Sequence, residues 1–328
     1  MPSPIVSRRH DILVMFDVTN GNPNGDPDAG NLPRIDPTSN KGLVSDVCLK
    51  RKVRNFVTQF PPPSRDGYDF EVFVRQGAIL NDLIDTSEPS AAQHANPAKN
   101  RDDFEQAALD WLCKKFFDLR AFGAVLSTKN KVFKGSAHGQ VRGPIQFTFG
   151  KSVDPITPIE ITITRCAATN ADEKKANDAA DSGSGGNRTM GNKHIVPYAL
   201  YVAKVFVSPV FAERTGFTEA DLDVFFEALQ HMFDHDQSAA RPEMSVRGIY
   251  DFEHIGTQDA SNAIQNAREA KLGCAHAWRL FEGVHVALNA DKEYPESRAD
   301  YTITDDWTND VPPTGIKGVK LTRRIDPR

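Results

Sequence analysis

Lys50 and Arg54 stand four residues apart in the run Lys50-Arg51-Lys52-Val53-Arg54. On a helix that spacing sets two cations on one face about a turn apart, which suits two neighbouring phosphates of a nucleic-acid strand. Ser45 lies where such a helix would begin, and its hydroxyl and the free amide hydrogens there also favour an anion. The plain alternative is a solvated face on which Asp46 pairs with Lys50. From residue 31 to 60 the chain holds six cations (Arg34, Lys41, Lys50, Arg51, Lys52, Arg54) against Asp36 and Asp46, a local excess of four in a protein of net charge −5. Charge concentrated against the overall sign points to an anionic partner.

A second basic stretch strengthens that reading. Residues 119–153 contain Arg120, Lys129, Lys131, Lys134, Arg142 and Lys151 and no Asp or Glu, with glycines at 123, 135, 139 and 143 that would let a backbone approach phosphates. Residues 213–259 are the reverse, with eleven acids against three arginines. The expected molecule is electrically polarised. Other chemistries find less support. Asn20, Asn22 and Asn24 imitate the start of a calcium loop, but an Asn opens it and Asn31 stands where the closing Glu belongs. His231 and His235 share a helix face without the Glu of a zinc-protease motif, and no CxxC occurs, so no metal is expected. No GxSxG, Walker A or GxGxxG is present, and no cofactor is expected.

The elements that must position these residues are legible in outline. Residues 10–18 alternate Ile12, Val14, Phe16, Val18 and predict a strand with one buried face. The Asn/Gly/Pro-rich segment 20–28 is expected to be neither helix nor ladder. Leu49, Val53, Phe56 and Phe60 predict a helix over 42–57, and Phe104, Ala108, Trp111, Leu112 and Phe116 another over 102–119. Strands are expected at 70–75, 140–149, 159–165, 194–207, 283–288 and 300–304. Thr218 opens a helix with acids in its first turn, ending near 233, and 258–282 reads as helical. Residues 171–192, with Asp-Ser-Gly-Ser-Gly-Gly at 181–186, lack core-forming side chains and predict a flexible excursion. Strands separated by helices with a central insertion imply an α/β or α+β core.

At 328 residues, 39% hydrophobic and mean hydropathy −0.45, the composition is that of an ordinary soluble protein. No apolar run approaches the ~20 residues of a membrane span, and residues 1–10 hold no signal-peptide stretch. Cys48, Cys113, Cys166 and Cys274 are widely spaced and expected to be reduced. A cytoplasmic protein with no membrane partner is the expectation.

The strings Phe16-Asp-Val-Thr-Asn-Gly-Asn-Pro-Asn-Gly-Asp-Pro-Asp-Ala-Gly-Asn-Leu-Pro-Arg-Ile-Asp36 and Gly42-Leu-Val-Ser-Asp-Val-Cys-Leu-Lys-Arg-Lys-Val-Arg-Asn55 resemble the backbone subunit of type I-C CRISPR Cascade, the Csd-two branch of the Cas-seven family. Residues 118–125, 141–146, 233–241 and 273–278 resemble the same family, so the likeness covers roughly 8–290. It implies a single α+β domain over 1–328, an RRM-like (ferredoxin-like) core with insertions forming fingers, palm and thumb. The parts would be a loop at 19–42 before the basic helix, a thumb or finger excursion at 166–193 and an acidic helical part at 213–290. It further implies a non-catalytic subunit that stacks head to tail on a CRISPR RNA. Its partners would be that RNA, target DNA through the guide, neighbouring copies, and Cas-five and Cas-eight type subunits. By the same likeness Ser45, Lys50 and Arg54 hold guide phosphates with Arg34 reaching in from the loop. Lys41, Arg51, Lys129, Lys134 and Arg142 join them, and Arg188, Met190 and Lys193 wedge at the guide from the excursion. The rival implication, drawn from related type III subunits, is metal-dependent cleavage of target RNA by a loop aspartate among Asp17, Asp26, Asp28 and Asp36. A helical segment near 258–272 departs from the family pattern.

Overall fold

Residues 10–18 do form a strand, but the strand is buried on both faces rather than one. In the computed structural model, which describes residues 2–165, 167–175, 190–257, 262–308 and 311–328, β1 (His10–Gly21) occupies the middle of an antiparallel sheet. Val14 and Phe16 join one core layer, while Leu13 and Met15 join a second on the opposite face. Asp11 and Asp17 are buried at either end of that second face.

The main remaining elements follow in chain order. The strands are β2 (Lys41–Val44), β3 (Ile145–Phe147), β4 (Gly150–Pro155), β5 (Ile159–Thr164), β6 (Met190–Val207), β7 (Glu243–His254), β8 (Val284–Leu288), β9 (Tyr301–Asp305) and β10 (Val319–Ile325). The helices are α1 (Asp46–Gln59), α2 (Arg101–Lys115), α3 (Phe117–Phe122), α4 (Pro209–Thr215), α5 (Glu219–His231), α6 (Ala263–Leu272) and α7 (Ala277–Glu282). Among the described residues the main sheet runs β10-β7-β1-β6-β4-β2, and β3 and β5 also pair with β6. Following the chain through β1, α1, β4, β6, α5 and β7 gives β-α-β-β-α-β, with spatial order fourth, first, third, second. That is the split βαβ arrangement of a ferredoxin-like, RRM-like core, and the expected α+β class holds.

Helices α1 and α5 cover one face of the sheet with Leu49, Val53, Phe225 and Leu229. Helix α7 and the β8–β9 hairpin cover the other with Leu280, Phe281 and Ile303. A separate cluster under α2 gathers Phe73, Phe104, Leu112 and Phe133.

Several boundaries differ from expectation for physical reasons. Residues 41–44 extend as β2 before Ser45 caps α1, so the helix begins at 46 rather than 42. The 20–28 segment does contain a ladder, in which Gly25 and Asp26 pair with Pro33 and Leu32. Residues 70–75 form only an isolated bridge, Glu71 to Phe116, because Asp118 captures the amides of Phe73 and Val74. The 102–119 helix breaks at Phe116, whose extended backbone turns the chain into α3. Helical character over 258–282 divides at Gly273 into α6 and α7. Of the 171–192 excursion, residues 171–175 are helical and Met190 starts β6. Arg188, Cys166 and the segment 176–189 lie outside the described residues, as does the Met190 side chain. Cys48, Cys113 and Cys274 are free thiols, and burial pushes that of Cys113 up to about 12.

One buried ion pair locks two layers together, and another ties neighbouring strands of the sheet. Arg120, fully buried, donates Nε and Nη2 to Asp221 Oδ1 at 3.0 and 2.7 Å and Nη1 to the Asp69 carbonyl at 2.7 Å. Asp221 also closes the capping box of α5 with Thr218. Across the sheet, His10 Nδ1 lies 2.8 Å from Asp251 Oδ1, whose other oxygen accepts from Arg324 Nε and Nη2. Burial pulls the His10 imidazole down, but the Asp251 hydrogen bond and the charges of Asp251, Glu253 and Glu219 outweigh it and leave it above its usual value.

Removing one member of a buried pair strands the other. Asp221→Ala is expected to cost about 3–5 kcal/mol, read from the urea unfolding midpoint, and a loss below about 1 kcal/mol would contradict the pairing's role. The raised His10 value means that its stabilisation is complete below about pH 6.5 and fades as pH rises through the folded value. The stability gap between wild type and His10→Gln should therefore shrink as pH rises from about 6 to about 9. A flat or widening gap in thermal melts would rule this out.

Candidate nucleic-acid interface

Helix α1 owes its start to Ser45, whose Oγ accepts from the Cys48 amide at 3.3 Å. Asn24 Oδ1 in turn accepts from Ser45 N at 2.8 Å and Ser45 Oγ at 2.9 Å, so the Asn-rich loop is stapled to the helix cap. The loop holds its own shape through Asn22 Nδ2 donating to the Asn31 carbonyl at 2.7 Å. Positive φ angles at Asn20 and Asn31, a region Asn tolerates, let the backbone reverse there. Asn22 and Asn24 thus serve as structural staples.

The inward face of α1 buries Leu49, Val53, Phe56 and Val57. Lys52 joins them: it is buried, and its ammonium pairs with Asp236, which also pairs with Arg241 at 3.4 Å. Burial depresses the Lys52 pKa against the opposing Asp236 hydrogen bond. Arg54 Nε donates to the buried Asp118 Oδ2 at 2.7 Å, and its guanidinium sits 5.2 Å from the centre of the Phe122 ring. Asp118 accepts two further bonds, from the Phe73 amide at 2.6 Å and the Val74 amide at 3.0 Å. One carboxylate therefore draws α1 and residues 72–76 into register.

Between those two segments runs a groove of about 760 Å³ lined by Arg51, Arg54, Asn55, Thr58 and Gln59 from α1 and by Val74, Arg75 and Gln76 opposite, with no Asp or Glu in its lining. Arg51 and Arg75 are exposed and have no ion-pair partner among the described residues. Guanidinium forks, amides and a hydroxyl along an acid-free channel match the oxygens of a phosphate backbone.

The residues expected to bind RNA are distributed unevenly around this groove. Arg51 lines it with its guanidinium unpaired, and Arg54 lines it while tied to Asp118. Lys50 pairs with Asp46 at 3.1 Å, the plain alternative set beside it above. Arg34 pairs with Asp26 at 3.3 Å, and Lys41 donates to the Val153 carbonyl at 2.6 Å. Lys129 and Lys134 are exposed on the loop between strands 123–125 and 140–142, and Arg142 is exposed at the end of the latter. Lys193, half-buried, stands opposite Ile161 on the β5–β6 hairpin, where β5 is exposed along its length. Arg75 was missed, because a lone Arg in a short apolar stretch carries no pattern; only the fold brings it opposite α1.

The expected charge polarity is weaker than the counts imply. Arg120 and Lys52 are buried in pairs, and Lys151 pairs with Asp36 at 2.8 Å. On the acidic side Asp221, Asp236 and Asp251 neutralise partners inside the fold. Three of the four candidate aspartates are similarly engaged, and one of these, Asp17, lies in β1 rather than in a loop. Asp17 is buried against Arg247 Nε at 2.7 Å and the Tyr198 hydroxyl, and burial raises its pKa over those opposing bonds. Asp36 is held well below the usual carboxylate range by Lys151, the Ser39 hydroxyl and the Thr38 amide. Asp28 is exposed. His231 pairs with Asp234 at 2.7 Å and the His235 ring packs on Phe60, so the two do not converge on a common ligand. Among the described residues one trio, Asp102, Glu105 and His138, could hold a metal ion, and Glu105 there already accepts from Arg101 at 2.6 Å and from Ser136. Among the described residues no helix is long and apolar enough to cross a membrane.

The sequence model for CRISPR-associated protein Cas7 matches residues 8–306. A Haloferax volcanii protein named CRISPR-associated protein Cas7 is 24% identical over 331 aligned positions, covering 91% of this chain and 90% of the relative. Among solved structures, a chain of a CRISPR RNA-guided surveillance complex, pre-nicking, aligns with TM-score 0.46 at 12% identity over 79% of this chain and 82% of that one. A chain of another CRISPR RNA-guided surveillance complex aligns with TM-score 0.41 at 14% identity over 84% and 80%. With the family match spanning nearly the whole sequence, the chain belongs to the CRISPR-associated protein Cas7 family.

Proposed function

We propose that this chain is an RNA-binding backbone subunit of a CRISPR effector complex and that it grips the CRISPR RNA along the acid-free groove between α1 and residues 72–76. The observation that carries the reading is the convergence of Arg51, Arg54 and Arg75 on one channel without a carboxylate. Phosphate contacts of this kind hold a strand without reading its sequence, and specificity passes to base pairing between guide and target. Arg51 and Arg75 make the direct contacts, while Arg54, held by Asp118, fixes the wall they line and Lys50 stays paired with Asp46. Arg142, Lys129 and Lys134 extend the basic surface, and Lys193 contacts the guide from the β5–β6 hairpin.

The finer reading is a type I-C Cascade subunit in the cytoplasm that stacks head to tail with its own copies and meets target DNA through the guide and Cas-five and Cas-eight type subunits beside it. The long Asn/Gly/Pro block preceding α1 supports that assignment. The subunit itself is non-catalytic. Supporting this, Asp17, Asp26 and Asp36 are spent on Arg247, Arg34 and Lys151, leaving three of the four candidate carboxylates without a free role as metal ligands.

Each phosphate contact on a single strand adds about 0.7 to the magnitude of the log–log salt slope. Arg51→Ala with Arg75→Ala should therefore weaken binding to single-stranded RNA and flatten the slope by about 1.4, whereas Lys50→Ala should change it little. Unchanged affinity and slope in the double variant would overturn the groove assignment. Incubating the assembled complex with labelled complementary RNA and Mg²⁺ should leave the RNA intact, and regularly spaced products would make the subunit a nuclease.

A further inference from the structure

Two separate sequence blocks, 118–125 and 141–146, meet at a single crossing. Gly123 pairs with Arg142, and a Cβ on Gly123 would lie 2.2 Å from the Val141 carbonyl oxygen, while one on Gly143 would lie 2.3 Å from the Phe122 carbonyl carbon. Only glycine fits at either position, and Gly123 also has φ +77. This close approach brings Phe122 and Arg142 into the wall of a pocket of about 370 Å³, completed by Val141, Gln146 and Phe211 from α4. That volume lies at the small end of ligand pockets, about 300–1,000 Å³.

The pocket has unusual chemistry for a structural surface. Phe211 is half-exposed and sits under two guanidinium groups, with Arg142 5.9 Å and Arg214 5.8 Å from its ring centre. Both arginines are exposed and without an ion-pair partner among the described residues. Gln146 is exposed at the rim and donates to the Gly143 carbonyl at 3.1 Å, a bond that leaves its amide oxygen available as an acceptor. The deep wall, Phe122, is the ring that carries the Arg54 guanidinium, so this pocket and the arginine groove share one partition.

The geometry points to Phe211 as a stacking platform for one nucleobase of the single strand whose phosphates lie in the arginine groove. A planar base laid on Phe211 between Arg142 and Arg214 gains π-stacking and cation–π contact whatever its identity, and the Gln146 amide meets its polar edge. Neighbouring phosphates then fall toward Arg142 on one side and Arg54 on the other. An acidic peptide is less suited, because an aromatic platform between arginines rewards a flat ring more than a carboxylate. The inference rests on the RNA-binding reading above, and the test separates the two.

Affinity is measured for oligoadenylate and for an abasic oligomer of equal length, which keeps every phosphate. Phe211→Ala should weaken oligoadenylate binding roughly tenfold, leave abasic binding and the salt slope unchanged, and be rescued by Phe211→Trp. Arg142→Gln, at an exposed position, should reduce the preference for the base-bearing strand by several-fold. If Phe211→Ala leaves the preference intact while Arg51→Ala/Arg75→Ala weakens both oligomers, the groove stands and the base platform is overturned. If neither oligomer binds wild type, the RNA reading itself fails. Loss of subunit association with RNA affinity unchanged would reassign the pocket to a protein partner and overturn the platform.

Discussion

Asp118 is a buried carboxylate on which three segments depend. It lies on a six-residue helix, receives the Arg54 guanidinium from α1, and captures the amides of Phe73 and Val74. A carboxylate stripped of water is tolerated only when donors replace that water, and here three donors do so across both oxygens. The same bonds that satisfy the charge set the distance between α1 and residues 72–76, and so make the groove. Two residues on, Arg120 performs the complementary task, tying α3 to the first turn of α5 through Asp221. A short, buried helix bearing one charge of each sign thus joins the groove wall to the sheet-covering helices.

Charge counting along a sequence treats every ionisable residue as surface. Burial overrules that for a sizeable fraction here. Arg120, Lys52 and Arg54 belong to the basic segments by number, but each is spent inside the fold on Asp221, Asp236 or Asp118. The field that remains is narrower and better placed: Arg51 and Arg75 at the groove, Arg142 and Arg214 at Phe211. Specific pairs consume the charges that hold the layers together, and the unpaired ones mark where an anion is welcome.

How far the sequence could be read varied with the range of the interactions involved. The strand at residues 10–18, the basic helix, the α5 cap at Thr218 and the short strands β8 and β9 were legible because periodicity and capping are local. The break at Phe116, the failure of 70–75 to form a strand and the second buried face of β1 were not, since each follows from a partner far along the chain. Within the site, Ser45 and Arg51 were readable from their place on α1. Arg75, Phe211 and the Gly123–Gly143 crossing were invisible, because nothing near them in sequence signals the element they meet.

By itself, then, the sequence determined the types of the longest elements, the cap of the basic helix and the presence of clustered cations behind an Asn/Gly/Pro loop. These depend on neighbours within a turn or two of chain. The tertiary structure alone decided which cations are free and which faces oppose each other across a groove. A charge is either neutralised or displayed according to what the fold brings within hydrogen-bond reach, and for Arg54 that was a carboxylate 64 residues away.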